Sequence, residues 1–341
     1  MTVIKAIGKA GVATIVTAFL LAAPKPARAG RLGTDVIALF PKNVGEFAYC
    51  DLKKARSQKW FPQLQAQMIP ERFREFEKFL ASAGVDPNSQ VDELAWGLVA
   101  EGVTAKTEGT GSTAVPTGEE VVGVALGSYN PNSTEAYFKR QKLPTFKVRG
   151  YTLYSFGTGS GASDLFFLFI DSNTAAFGHR AILEKMVDVR FGEDESLLNN
   201  DKLFPLINEA NGSGVVWAVL NPAYTRLALQ QLAPEIEQFP EAAKLVSRMQ
   251  NLIINVDAGS GINGKFQAIC GSTEDANTLG QLLQAGFLYK RYQAQKDNPE
   301  LADLLDQARI TPAGDRVTLN MSLSDDQMTS LIRKNTFALK M

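Results

Sequence analysis

Short apolar segments joined by glycine-rich turns constrain the fold of this chain more than any other feature. Leu252–Ala258 is an apolar strand pattern and Lys265–Cys270 an alternating one, with Gly259-Ser260-Gly261-Ile262-Asn263-Gly264 between them. A parallel connection needs a dozen or more residues, so such a pair closes as an antiparallel hairpin. The same logic joins Tyr151–Phe156 to Asp164–Ile170 through Gly157-Thr158-Gly159-Ser160-Gly161. Asp171-Ser172-Asn173 then reads as a β-turn leading to Ala175–Gly178. Further strand patterns fall at Glu46–Leu52, Ala95–Ala100, Val121–Gly127, Phe146–Val148, Gly214–Leu220 and Arg316–Leu323. Glu101–Gly118, rich in Gly, Thr and Ser, reads as a mobile hairpin loop.

Helical spacing separates these strands. From Glu71, the residues Phe73, Phe76, Leu80 and Ala83 share one face, and Gly84 with Asp86-Pro87 ends the helix. Helices are also predicted from Asn132, over Arg180–Val187, near Phe204–Ile207, from Tyr224 to Leu232, and from Pro240 to Met249. A long helix opens at Ser272-Thr273-Glu274-Asp275 and carries Leu279, Leu282, Leu283 and Phe287. Others follow Pro299 and Asp325. The expected class is α+β, with mostly antiparallel sheets, helices packed on one face and two similar halves. The order strand, two helices, hairpin, helix, then strand and final helix occurs twice, suggesting an internal duplication. Residues 30–190 form the first half, 191–211 a polar connector and 212–341 the second half.

The N-terminus predicts export. Lys5 and Lys9 precede an apolar stretch from Gly11 to Ala23, and Ala27-Arg28-Ala29 offers small residues two positions apart. These are the three regions of a secretory signal peptide, with cleavage after Ala29 and a periplasmic or secreted product. The apolar run is shorter than the ~20 residues of a membrane span. Removing Lys5, Lys9, Lys25 and Arg28 leaves 31 basic side chains against 36 acidic ones. That excess of negative charge disfavours a nucleic-acid partner. Cys50 and Cys270 are the two cysteines. Export permits a disulfide between them, while two buried small apolar side chains is the plainer alternative.

No catalytic, cofactor-binding or metal-ligating set emerges. Gly259–Gly264 has the glycine spacing of a dinucleotide fingerprint, but a strand follows it rather than a helix N-terminus. His179 is the one histidine and lies at a strand-to-helix junction, a capping rather than a catalytic position. Glu193-Asp194-Glu195 reads as a solvated charge run, and Asp325-Asp326 as acids favoured at a helix start. With two cysteines and one histidine, no conventional structural zinc site can form. Leu165-Phe166-Phe167-Leu168-Phe169-Ile170 is unbroken apolar sequence, expected to be buried on both faces or to line an apolar pocket. Trp60-Phe61 reads as core, with anchoring of a partner as the alternative.

Leu39-Phe40-Pro41-Lys42-Asn43-Val44 leading into Phe47–Leu52, together with Gly314–Leu323, resembles exported bacterial proteins of unknown function that carry duplicated α+β modules. The resemblance implies no activity and no site. The expected role is non-catalytic binding of a partner protein or envelope component. The alternatives are an exported hydrolase using carboxylates or serine, and a carrier of an apolar ligand with a cavity beside Leu165–Ile170.

Overall fold

The alternating apolar segments are strands, and all of them join one sheet. The computed structural model describes residues 30–68, 71–108, 111–161, 164–232, 240–259, 261–297 and 299–334. The predicted leader, residues 1–29, lies outside the described residues. Up to Arg190 the chain forms α1 (Thr34–Ile37), β1 (Glu46–Asp51), α2 (Leu52–Arg56), α3 (Phe61–Met68), α4 (Glu71–Ser82), α5 (Pro87–Gln90), β2 (Val91–Glu108), β3 (Gly111–Gly127), α6 (Pro131–Arg140), β4 (Thr145–Val148), β5 (Tyr151–Phe156), β6 (Leu165–Phe169), β7 (Thr174–His179) and α7 (Arg180–Arg190). It continues with α8 (Phe204–Ala210), β8 (Val216–Leu220), α9 (Pro222–Leu232), α10 (Pro240–Arg248), β9 (Met249–Gly259), β10 (Gly261–Cys270), α11 (Thr273–Asp297), α12 (Pro299–Gln307), β11 (Arg309–Ala313), β12 (Arg316–Leu323) and α13 (Asp325–Arg333).

The sheet has twelve strands in the order β11-β12-β10-β9-β8-β1-β2-β3-β7-β6-β5-β4. Each neighbouring pair is antiparallel. At the centre β1 lies beside β8 with Ala48 opposite Ala218. Two backbone bonds close this pair reciprocally: Asp51 N–H donates to the Val215 carbonyl, and Asn221 N–H to the Gly45 carbonyl, each at 2.8 Å. Asp51 and Asn221 then cap the helices that follow their strands. Outward from this centre the strands run β2, β3, β7, β6 on one side and β9, β10, β12, β11 on the other, with β5 and β4 extending the first.

Both faces of the central strands are buried. Phe47, Tyr49, Trp217 and Val219 point to one face, where α1, α7 and α8 supply Ile37, Leu183 and Ile207. Trp217 stacks on Tyr49 at 5.5 Å and lies 5.7 Å from Phe47. Ala48, Cys50, Val216 and Ala218 point to the other face, beneath α2, α3, α9 and α13. Most of the helices crowd this second face. Each large side chain fully buried here adds ~1.5–3 kcal/mol of hydrophobic stabilisation. Two long-range polar contacts tie the layer down: Trp60 Nε1 donates to Asp325 Oδ1 at 3.1 Å, and Lys54 pairs with Asp257 at 3.1 Å.

Two segments differ from the sequence expectation. Glu101–Gly118 is not a loop: β2 and β3 pair through it, from Gly102 opposite Thr117 to Glu108 opposite Gly111. Its Val and Thr residues are β-branched and suit extended backbone, which outweighs the turn-like composition. The second is β11, absent from the expectation because Pro312 interrupts a short polar run. It is an edge strand, where a residue lacking N–H is tolerated. Pro312 packs over Gly280 of α11, and Gln284 of the same helix donates to the Ile310 carbonyl at 3.1 Å.

One glycine sets the surface of the second face. A Cβ on Gly123 of β3 would lie 2.1 Å from the Phe177 ring of neighbouring β7, which lies across the bare backbone. Gly123→Ala is expected to displace that ring and lower stability by ~1–3 kcal/mol, read from the midpoint of denaturant unfolding.

Candidate functional site

A cavity of about 460 Å³ lies between the second face of the sheet and the helices that follow β1. It is partly open to the surface rather than sealed. Its volume falls in the ~300–1,000 Å³ range of small-molecule sites. Small side chains make much of the floor: Cys50 from β1, Ala125 from β3 and Ala175 from β7. Phe167, Phe169 and Phe177 close one end, and Val256, Ala258 and Ile262 the other. The roof comes from α2 to α5 and their connections, with Ala55, Trp60, Phe61, Leu64, Leu80 and Val85. Gln65 Nε2 donates to Asn88 Oδ1 at 3.1 Å across the exposed rim.

The continuous apolar strand over Leu165–Phe169 divides its side chains as its pattern demands. Phe166 and Leu168 enter the first core, while Phe167 and Phe169 face the cavity side. Phe167 is wedged against Phe138 at 4.9 Å and Tyr154 at 5.7 Å, and Phe169 lies 5.8 Å from Tyr129. These rings hold the end wall in place, each aromatic pair adding ~0.5–1.5 kcal/mol beyond burial.

A few polar groups interrupt the apolar lining. Arg56, at the end of α2, donates from Nη1 to the Val91 carbonyl at 2.6 Å and from Nη2 to the Pro87 carbonyl at 2.8 Å. Its Nε is buried without a partner. The Tyr129 hydroxyl is also buried and unpartnered, and burial raises its pKa, with Asp92 adding to the rise and Arg56 opposing it. Glu77 is half-buried; desolvation, then Asp86, raises its pKa, while Arg56 and Arg74 pull it down.

The residues singled out in the sequence lie apart from one another. Gly259 and Gly261 are paired residues at the β9–β10 turn, as a hairpin requires, and Gly261 has φ of 105°. His179 ends β7 and stands at the N-cap of α7 without a side-chain cap bond. Glu193, Asp194 and Glu195 pair with Arg149, Lys185 and Lys42 at the surface. Asp171 accepts from Asn173 N–H at 2.7 Å, an Asx turn. Asp325 receives Trp60, which is core and cavity wall together. Cys50 and Cys270 are both buried and unpaired. Among the described residues no group of three His, Cys, Asp or Glu is placed to hold a metal, and no helix is long and apolar enough to cross a membrane. Arg56, Glu77 and Tyr129 carried no sequence signal, since each sits in a run that reads as surface or connection.

Solved structures offer a comparison with this geometry. The chain has the fold of TP0453. That Treponema pallidum protein, in crystal form III, matches with a TM-score of 0.52 at 12% identity, covering 89% of this chain and 99% of the other. Crystal form I of TP0453 gives a TM-score of 0.47 at 12% identity, over 91% and 98% of the two chains. At this identity the likeness is one of fold alone. No family model and no curated protein matches the chain.

A second buried acid lies on the cavity's face of the sheet. Glu46 opens β1 opposite Leu98 and Leu220, 1% exposed, with neither carboxyl oxygen hydrogen-bonded. Burial first, and the charge of Glu119 second, push its pKa up to about 8. The folded protein therefore holds a proton that the unfolded chain releases near the ordinary glutamate value of 4.5. Stability from this group is present at low pH and is lost as pH rises through about 8. Glu46→Gln is expected to match wild type near pH ~5 and exceed it near pH ~9 by ~1–3 kcal/mol, measured by denaturant unfolding at both.

Proposed function

We propose that this chain is an exported, non-catalytic binding protein whose cargo is an apolar ligand held between the sheet and α2–α5. The observation that carries the reading is the cavity of about 460 Å³ with a predominantly hydrocarbon and aromatic lining. Apolar surface left unfilled in a core costs stability, so retaining it makes sense where a ligand fills it. A carboxylate-pair hydrolase needs two acids facing one bond. Among the described residues the lining offers Glu77 as its carboxylate and no second one. Envelope-component binding and carriage of an apolar ligand meet in one reading if the cargo is itself a component of the envelope.

Export follows from residues 1–29, and the repeated strand order supports an origin by duplication of one α+β unit. In that reading the two units diverged in use: the helices after β1 roof a cavity, and their counterparts after β8 pack tightly, with Tyr224 and Ala228 each 1% exposed.

The protein purified from its native host is expected to carry a bound apolar species, seen as excess mass in native mass spectrometry and lost on denaturation. The denatured chain should begin at Gly30. Ala175→Phe, which fills the floor, is expected to weaken binding of an apolar fluorescent probe by ~10-fold or more while the far-ultraviolet circular dichroism stays unchanged. Absence of both bound mass and probe binding would overturn the carrier reading.

A further inference from the structure

The cavity wall holds a charge, that of Arg56, which makes no ion pair among the described residues. The Arg56 guanidinium stays protonated at any physiological pH and presents five N–H donors. Its two hydrogen bonds go to the backbone carbonyls of Val91 and Pro87, which are neutral, and Nε has no acceptor. The charge nonetheless reaches the surrounding groups: it opposes the rise in pKa at Cys50, Glu77 and Tyr129. The Tyr129 hydroxyl is a second buried donor without an acceptor, on a side chain 9% exposed in the same lining. Glu77 does not make an ion pair with Arg56, and burial moves its carboxyl toward the neutral form. A partly buried cation and an idle hydroxyl beside an apolar chamber are complementary to an amphiphile with a compact anionic head.

We infer that the ligand is a long-chain monocarboxylate of the fatty-acid class, its carboxylate accepted by Arg56 and Tyr129 and its hydrocarbon tail running over Cys50, Ala125 and Ala175. The inference rests on the carrier reading and narrows it to one head-group chemistry. A carboxylate fits the guanidinium in a two-pronged geometry that an ester or alcohol cannot match, because neither carries the charge. The tail contributes affinity without selectivity, and the head contributes the choice of ligand.

Titration calorimetry of the mature protein with palmitate and with methyl palmitate separates the two. Wild type is expected to bind palmitate at least ~10-fold more tightly than its ester, a difference of ~1.4 kcal/mol. Arg56→Gln should bring the two ligands to within ~2-fold of one another. Tyr129→Phe, which removes one oxygen and preserves the ring, should narrow the gap ~3-fold or more, and it tests the assignment should Arg56→Gln fail to fold. Equal affinity of wild type for acid and ester would overturn the head-group assignment and leave the carrier reading standing. A preference for the acid that survives both substitutions would overturn the roles given to Arg56 and Tyr129. Binding of neither ligand, together with no apolar probe bound, would overturn both readings.

Discussion

The pairing of β1 with β8 is the constraint on which the rest of the molecule depends. Its register, Ala48 opposite Ala218, fixes which side chains of the central strands share a face. Phe47, Tyr49, Trp217 and Val219 fall on one side and Ala48, Cys50, Val216 and Ala218 on the other. One face is thus bulky and the other shallow. A shift of a single residue would exchange the two sets and place an indole where the cavity floor now lies. The reciprocal bonds from Asp51 and Asn221 lock the register from both ends, and each residue goes on to start a helix.

The shallow face explains why a void exists, and the helices above explain why it persists. Small residues in β1, β3 and β7 leave room that the roof does not fill, because α2–α5 are held at a distance by fixed contacts. Trp60 is bonded to Asp325, Lys54 to Asp257, and Arg56 to two backbone carbonyls. Phe167, braced by Phe138 and Tyr154, prevents the end wall from folding inward. Collapse would require breaking several of these at once. Glu46 lies on the same face, where burial favours the neutral form of its carboxyl.

Much of the fold was legible in the sequence and the site was not, for reasons that differ. Hairpins such as β9–β10 and β5–β6 announce themselves through alternation and glycine turns, both local properties. Helix starts at Arg180 and Pro240 are legible locally in the same way, while the helix expected from Tyr224 begins two residues earlier, at Pro222. Glu101–Gly118 misled because composition indicated a turn-rich loop, whereas strand formation there rests on partners across the ladder. The cavity gathers residues from many elements, and smallness at Cys50, Ala125 and Ala175 has meaning only once they are neighbours. Leu165–Ile170 alone hinted at it. Arg56 follows Lys53-Lys54-Ala55 and reads as one more exposed charge, and Tyr129 sits just before a helix with nothing to mark its hydroxyl.

A sheet of this width also has to end. Every strand ladder leaves unpaired backbone groups at its margins, an invitation to another chain. At one margin β11 is five residues long, contains Pro312 in place of a donor, and has the Ile310 carbonyl occupied by Gln284. At the other, β4 is four residues long and places the charged Lys147 on its exposed side. The first margin is closed chemically and the second by brevity and charge. The architecture is finite by construction, so growth by strand addition is opposed at both ends while the hydrophobic chamber stays far from either.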